Sequence, residues 1–329
     1  MQPLPLRLLP KLKESGCTEE TGGQLGTQWL LDNVPGCIGT CSLNSEPTIF
    51  KVLIGHKGMY RLRLSARRAE SGHAAVPVED GAITVAVLAA QAVYDSLHRW
   101  SPPAPPELEE VIARAKVESA DPENTETQGH DYLMDHTTVS IGTIHGGIQA
   151  NLIADLCEVE IDIRTTLGTT TEMVQARAAE AVRVATGAFA PMTTVELAWE
   201  GALEAAYCSP ETPLVRELRR NHEAVVGDSV EATVSIGSTE ARSKSSVALC
   251  GSEPLSPLSL TGVLLSVWWL LEPSVPAAVY GTSCYNIARP DEYIPEADFG
   301  KVLKVHLGTV IDMLCGGADE AGEAPTANL

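Results

Sequence analysis

The sequence predicts a discontinuous α/β domain, built from the two ends of the chain, with a smaller ferredoxin-like α+β domain inserted between them. Three observations predict it. From Lys57 to Glu200 the apolar pattern reads strand, helix, strand, strand, helix, strand, the order of helices layered on one face of an antiparallel sheet. The segment His136 to Thr165, HTTVSIGTIHGGIQANLIADLCEVEIDIRT, carries alternating runs at Thr138 to Thr143 and Cys157 to Ile163 around a turn-rich centre with Gly146, Gly147, Asn151 and Asp155. Paired half-buried strands have that pattern. Beyond Glu200, helical periods alternate with short buried apolar runs, as they do before Lys57. The expected domains are therefore 1–56, 57–200 and 201–329, the first and last forming one body.

In chain order, a helix is expected from Gln24 to Asn33 and a strand from Cys37 to Leu43. Ser45-Glu46-Pro47-Thr48 follows, with Pro47 fixing the backbone where the chain leaves the first body. Met59 to Ala66 alternates as a strand and ends in the turn Glu70 to Pro77. Ile83, Val87, Ala90 and Val93 or Tyr94 give Gly81 to Leu97 a helical period. The proline-rich stretch Ser101 to Pro106 and the polar run Ser119 to Asp135 read as exposed excursions. A helix from Thr171 to Thr186 and a strand from Thr193 to Trp199 complete the insert. The second half of the outer body reads as a helix Pro213 to Val226, strands at Ala232 to Ile236 and Val275 to Tyr280, and a last amphipathic helix. That helix is marked by Phe299, Val302, Leu303, Leu307, Val310, Ile311 and Leu314.

Of the 329 residues, 44% are hydrophobic, enough for two packed cores. Twenty-three basic against 43 acidic residues give a net charge of −20, which disfavours nucleic acid and anionic membranes as partners. The cysteines are scattered; Cys37 and Cys41 are close together without a second pair to complete a zinc site. Reduced thiols in a cytoplasmic protein are expected. The first residues, MQPLPLRLLPKLKESG, place basic residues after a short apolar stretch, which is not the order of a secretory signal. The apolar run Leu260 to Leu271, LTGVLLSVWWLL, is too short to span a bilayer.

Polar residues sit where the paired strands of 136–165 bend. On this reading Asn151 and Arg164 lie near one end of the same sheet, an amide and a guanidinium able to hold a carbonyl and a carboxylate. Elsewhere the chain carries TEETGG (18–23), SEPT (45–48), GHKG (55–58), SGHAAVP (71–77), GGIQANLIAD (146–155), EIDIR (160–164), GSTEAR (237–242) and RPDEY (289–293), in that order. This ordered set resembles the dinuclear zinc hydrolases that include acetylornithine deacetylase, succinyl-diaminopimelate desuccinylase, aminoacylase and glutamate carboxypeptidase.

The resemblance implies a zinc-hydrolase-like catalytic domain with an inserted dimerisation domain, two zinc ions, a homodimer, and hydrolysis of a linear amide bond in a small N-acyl amino acid or peptide-like substrate that bears a carboxylate. In such enzymes a metal-bridging water, deprotonated by a glutamate, attacks the amide carbonyl. By motif, Glu19 resembles that general base and Glu20 the adjacent zinc ligand. Glu46 resembles the carboxylate ligand of the other zinc. His73 matches a histidine that reaches the partner subunit's active site and stabilises the oxyanion. Asn151 and Arg164 match residues that hold the substrate's carbonyl and carboxylate.

The chain also departs from the pattern. The His-x-Asp ligand motif that precedes the glutamate pair in the family has no counterpart here, Ala288 stands where the closing motif has a histidine ligand, and 243–274 is an insert. These departures imply an N-terminally truncated chain. A second expectation follows, of a catalytically inactive or truncated homologue that keeps a dimerisation or ligand-binding domain.

Overall fold

The computed structural model describes residue 33 and residues 41–76, 78–123, 129–236, 247–248, 275–285 and 290–315. The strands are β1 (Ser42–Asn44), β2 (Val52–His56), β3 (Gly58–Arg68), β4 (Gly72–His73), β5 (Thr138–Gly146), β6 (Leu152–Ile153), β7 (Leu156–Thr165), β8 (Thr193–Leu203), β9 (Ala206–Tyr207), β10 (Ala232–Ser235), β11 (Val247–Ala248) and β12 (Ala277–Val279). The helices are α1 (Ala82–Leu97), α2 (Glu109–Ser119), α3 (Thr171–Thr186), α4 (Pro213–Val226) and α5 (Glu296–Cys315). The chain divides into two compact units, one of them His56–Ala206 with a few residues after Ser235, the other drawn from the sequence on either side.

The His56–Ala206 unit is a four-stranded antiparallel sheet in the order β5-β7-β3-β8, the strand order of a ferredoxin-like fold. Strict alternation along β3 decides its faces. Tyr60, Leu62, Leu64 and Ala66 are buried against α1 and α3, joined by Val159, Ile161 and Ile163 of β7. Ala82, Ala86, Ala89 and Ala90 on α1 and Ala178 on α3 line the same core, and such short side chains let the helices lie close to the sheet. On the other face Arg61 and Arg63 of β3 stand opposite Asp162 and Glu160, and Arg63 reaches both Glu160 and Glu200 at 3.0 Å. These pairs are exposed and stabilise little.

α3 begins at Thr170, whose hydroxyl accepts the Met173 amide at 3.4 Å, an N-cap of the usual kind. α2 is an unexpected element. It follows the proline-rich stretch, and its inward face is Leu108, Val111, Ile112 and Ala115, a spacing of one helical face that the flanking prolines and charges obscure.

In the other unit, β12 pairs in parallel with β1 and antiparallel with β2, and α4 packs on α5. Tyr280, fully buried, donates its hydroxyl to His222 Nδ1 at 2.8 Å, and His222 Nε2 lies 3.0 Å from Asp228. α4 opens on Thr212 and Pro213 and closes on Gly227 at φ 100°, start and stop signals present in the sequence. Among the described residues no helix is long and apolar enough to cross a membrane. The expected helix Gln24 to Asn33 lies outside the described residues apart from Asn33, and the 243–274 insert does so apart from β11.

Gly58 opens β3 where three segments converge. A Cβ there would stand 2.4 Å from Thr165 Oγ1 and 2.9 Å from both Ala205 N and Leu203 O. Gly58→Ala is expected to lower the unfolding free energy by about 2 kcal/mol or more, as overpacking does. Gly187→Ala, where nothing lies within 4 Å, is expected to change it by less than about 0.5 kcal/mol. Urea denaturation of the two variants beside the parent chain checks the contrast.

Candidate functional site

Two of the expected site residues meet at one end of the four-stranded sheet. Past the end of β3 the chain makes a small ribbon, in which Gly72 and His73 pair with Ile153 and Leu152. The Ala74 amide donates to the Asn151 carbonyl at 2.9 Å, so His73 and Asn151 flank the same turn. Gly147 makes the return possible. Its φ of 75° is a conformation glycine adopts freely, and a Cβ there would come within 3.1 Å of Ile83 on α1.

His73 is exposed, and its Nδ1 accepts the Ala75 amide at 3.1 Å. That bond fixes the neutral ring as the Nε2–H tautomer, leaving Nε2–H available as a donor. The Asn151 side chain is exposed as well. A cleft of about 150 Å³, lined by Ser71, Gly72, Gly147, Ile148, Leu152, Ile153, Ala154 and Asp155, adjoins the ribbon. The lining of this recess comes from the residues beside His73 and Asn151 in the chain and includes neither of the two.

Arg164 is elsewhere, which corrects the expectation that it shares a sheet end with Asn151. β7 starts near the ribbon, with Leu156 opposite Arg67, and finishes with Arg164 opposite Met59 and Thr138. Arg164 lies eight residue steps along the strand from Leu156, roughly 26 Å at about 3.3 Å per step. The turn-rich centre and the strand after it were both legible, but the direction of the strand carries Arg164 away from the turn. Its guanidinium pairs with Asp162 at 2.7 Å.

At that far end a different clasp operates. Lys57, 3% exposed, donates from Nζ to the Leu133 and His136 carbonyls, each at 2.7 Å. This tethers the segment that leads into β5. Burial, and then the nearby Arg164 charge, push the ammonium down to about 7, against an opposing pull from Asp135. The Lys-Gly pair that opens β3 is the only sign of this clasp in the sequence.

Glu46 belongs to the other unit, just past β1. It is half-buried, and its backbone is held against Gly281, where a Cβ would stand 1.7 Å from the Glu46 carbonyl oxygen. Glu19 and Glu20 lie outside the described residues. Among the described residues no group of three or more His, Cys, Asp or Glu side chains is placed to hold a metal ion. Glu46 therefore has no described set of fellow ligands, and the described residues do not by themselves fit a metal centre.

Residues 54–188 match the family model of a peptidase dimerisation domain, of the M20 type. This segment is thus similar in sequence to M20 peptidase dimerisation domains. Solved structures extend the likeness in fold beyond it. The di-peptidase Dug1p of Saccharomyces cerevisiae superposes with a TM-score of 0.55 at 9% identity, over 83% of this chain and 57% of its own. Human carnosine dipeptidase 1 gives 0.52 at 10%, over 82% and 58%. The YXEP protein of Bacillus subtilis, described as a dinuclear metal binding peptidase from the M20 family, gives 0.51 at 14%, over 88% and 62%. The chain thus spans about three fifths of the length of these proteins. No protein of curated function matches the sequence.

The Lys57 clasp has a pH signature. Because its folded pKa lies below the ordinary 10.5, the folded chain binds fewer protons than the unfolded chain between about pH 7 and 10.5. Stability contributed through this group therefore rises with pH across that window, by up to about 1.4 kcal/mol per unit. Lys57→Met is expected to remove that rise. Urea midpoints of both proteins measured through the window check it.

Proposed function

We propose that the whole protein to which this chain belongs is a metal-dependent hydrolase of a linear amide bond, acting on a small N-acyl amino acid or peptide-like substrate that bears a carboxylate. The observation that carries the reading is the ribbon. It pairs the backbone that carries His73, whose Nδ1 is already engaged, with the backbone that follows Asn151, in a segment that matches a peptidase dimerisation domain. A donor held in one tautomer suits the oxyanion of a tetrahedral intermediate, and a carboxamide suits the adjoining carbonyl. Glu19 as general base and Glu20 and Glu46 as zinc ligands complete the reading from the motifs; Arg164, as carboxylate ligand, lies at the far end of β7 from the ribbon and would meet the same small substrate only across a dimer. Zinc would polarise the amide carbonyl when bound. The cytoplasm is the proposed compartment.

A homodimer belongs to the same reading. β5 lies at the edge of its sheet, and Ile141, Ile144 and Ile148 are exposed along and just beyond it. α1, which packs against β5, adds exposed Ile83, Val87 and Leu88. A second copy covering this edge would bury all six. Ala288 favours an alternative, a noncatalytic homologue that keeps the dimer and has lost its metal centre, since a methyl group cannot ligate zinc.

The two readings part in one set of experiments on the complete protein with zinc supplied, using N-acetyl amino acids and dipeptides as substrates. Glu19→Gln is expected to abolish turnover with zinc retained, and His73→Ala to lower kcat by about a hundredfold, the scale of one lost oxyanion donor. Turnover that survives Glu19→Gln removes Glu19 as the base, and a protein without zinc or turnover establishes the alternative. For the assembly, Ile144→Asp is expected to convert a dimer to monomers in sedimentation equilibrium. An unchanged mass would place the dimer contact elsewhere.

A further inference from the structure

We infer that Arg68 is a positioning residue, whose side chain clasps both ends of the loop carrying His73 and so sets the tautomer and placement of that imidazole. The inference rests on the reading of His73 as a functional donor, but its geometry is independent of any reaction.

A ribbon of two residue pairs has no stability of its own, so the position of β4 depends on its tethers. The loop from Ala69 to Gly81 leaves β3, forms β4 and re-enters the fold at α1. Arg68, the last residue of β3, touches its start and its finish. A terminal guanidinium nitrogen donates to the Glu70 carbonyl, while Nε donates to Asp80 Oδ1 at 3.2 Å. The Arg68 backbone amide donates to the Asp155 carbonyl at 2.8 Å, and Ala82 N donates to the Ala154 carbonyl at 3.0 Å. One residue thus joins the end of β3, both ends of the His73 loop and the strand junction that follows Asn151.

The chemistry selects arginine. A guanidinium is a rigid fork that satisfies a carbonyl and a carboxylate together, whereas an ammonium on a flexible stem is a point charge. Burial separates this pair from the other arginine pairs of the sheet. The Arg68 and Asp80 side chains are 9% and 19% exposed, against 40% and 48% for Arg63 and Glu160. Removing one partner of a pair so placed leaves the other charge poorly solvated, and the loop must move to hydrate it. The bond from Ala75 N–H to His73 Nδ1, which fixes the tautomer, lies inside the loop that Arg68 closes.

The test uses the whole chain, labelled with ¹⁵N, and reads the His73 imidazole nitrogens by long-range ¹H–¹⁵N correlation at a pH where the ring is neutral. The parent is expected to show Nε2 protonated and Nδ1 bare. In Arg68→Ala the two nitrogen shifts should move toward each other as the tautomers mix. Exchange of the Ala74 and Ala75 amides should rise about tenfold or more while the β3 and β7 amides keep their protection, the mark of a local opening. Arg68→Lys should fall between, and the swapped pair Arg68→Asp with Asp80→Arg should recover part of the parent spectrum. Should Arg68→Ala fail to fold, Asp80→Asn supplies the same comparison with the fold kept. Parent-like His73 shifts and Ala75 exchange in these variants overturn the inference, because a merely stabilising ion pair would leave the ring untouched. If His73→Ala has no effect on turnover while Arg68→Ala still mixes the tautomers, the catalytic reading fails and the positioning one stands.

Discussion

The structure depends on the two-sided pairing of β3. This strand is antiparallel to β7 on one side and to β8 on the other along nearly its whole length, so its period of two fixes the faces of all three at once. A shift of one residue would turn Tyr60, Leu62 and Leu64 to solvent and bring Arg61 and Arg63 under the helices. The alanine-rich inner surface of α1 accepts only the aliphatic face. Gly58 and Lys57 hold the beginning of the strand, Arg68 its end. The candidate site is therefore an extension of the central strand rather than a loop on a periphery, and its accuracy is inherited from the register.

What β3 delivers at its end is a constraint on a proton. An exposed histidine has two tautomers of similar energy, and a free ring in a turn would present either nitrogen. Here the Ala75 amide takes Nδ1, which is possible because the chain doubles back immediately after His73. Gly72 suits that doubling, since a Cβ there would come within 3.3 Å of the Ile153 side chain across the ribbon. Function, on this view, lies in the backbone that approaches the ring as much as in the ring itself.

Much of this was legible in the sequence. The order of elements in the insert, the helix Thr171 to Thr186, and the helix Pro213 to Val226 between its proline and its glycine are written in period, caps and turn residues. α2 was not, because its apolar residues lie among prolines and paired glutamates that read as loop. The pairing of β4 with β6 was not legible, as nothing in local pattern tells that the two meet across some eighty residues. The placement of Arg164 failed for a related reason. Proximity along the chain stands for proximity in space across a turn and ceases to do so along a strand, where each residue adds about 3.3 Å.

The edge strand offers a last argument about what the fold is built to do. Unpaired edges invite uncontrolled association, and sheet proteins commonly blunt them with lysine, proline or inward charges. β5, Thr138 to Gly146, carries no Lys, Arg, Asp, Glu or Pro. It is irregular where it passes Gly142, with a register shift between Ile141 and Thr143, yet it exposes isoleucine before and after that point. The opposite edge, β8, alternates Glu196 and Glu200 with its apolar residues, the protection that β5 lacks. Two edges of one sheet under the same physical demand have been treated differently, and the difference is explained if β8 must remain in water while β5 is covered by a second copy. On the proposed homodimer, the sequence of this domain would thus distinguish a covered edge from a free one by charge.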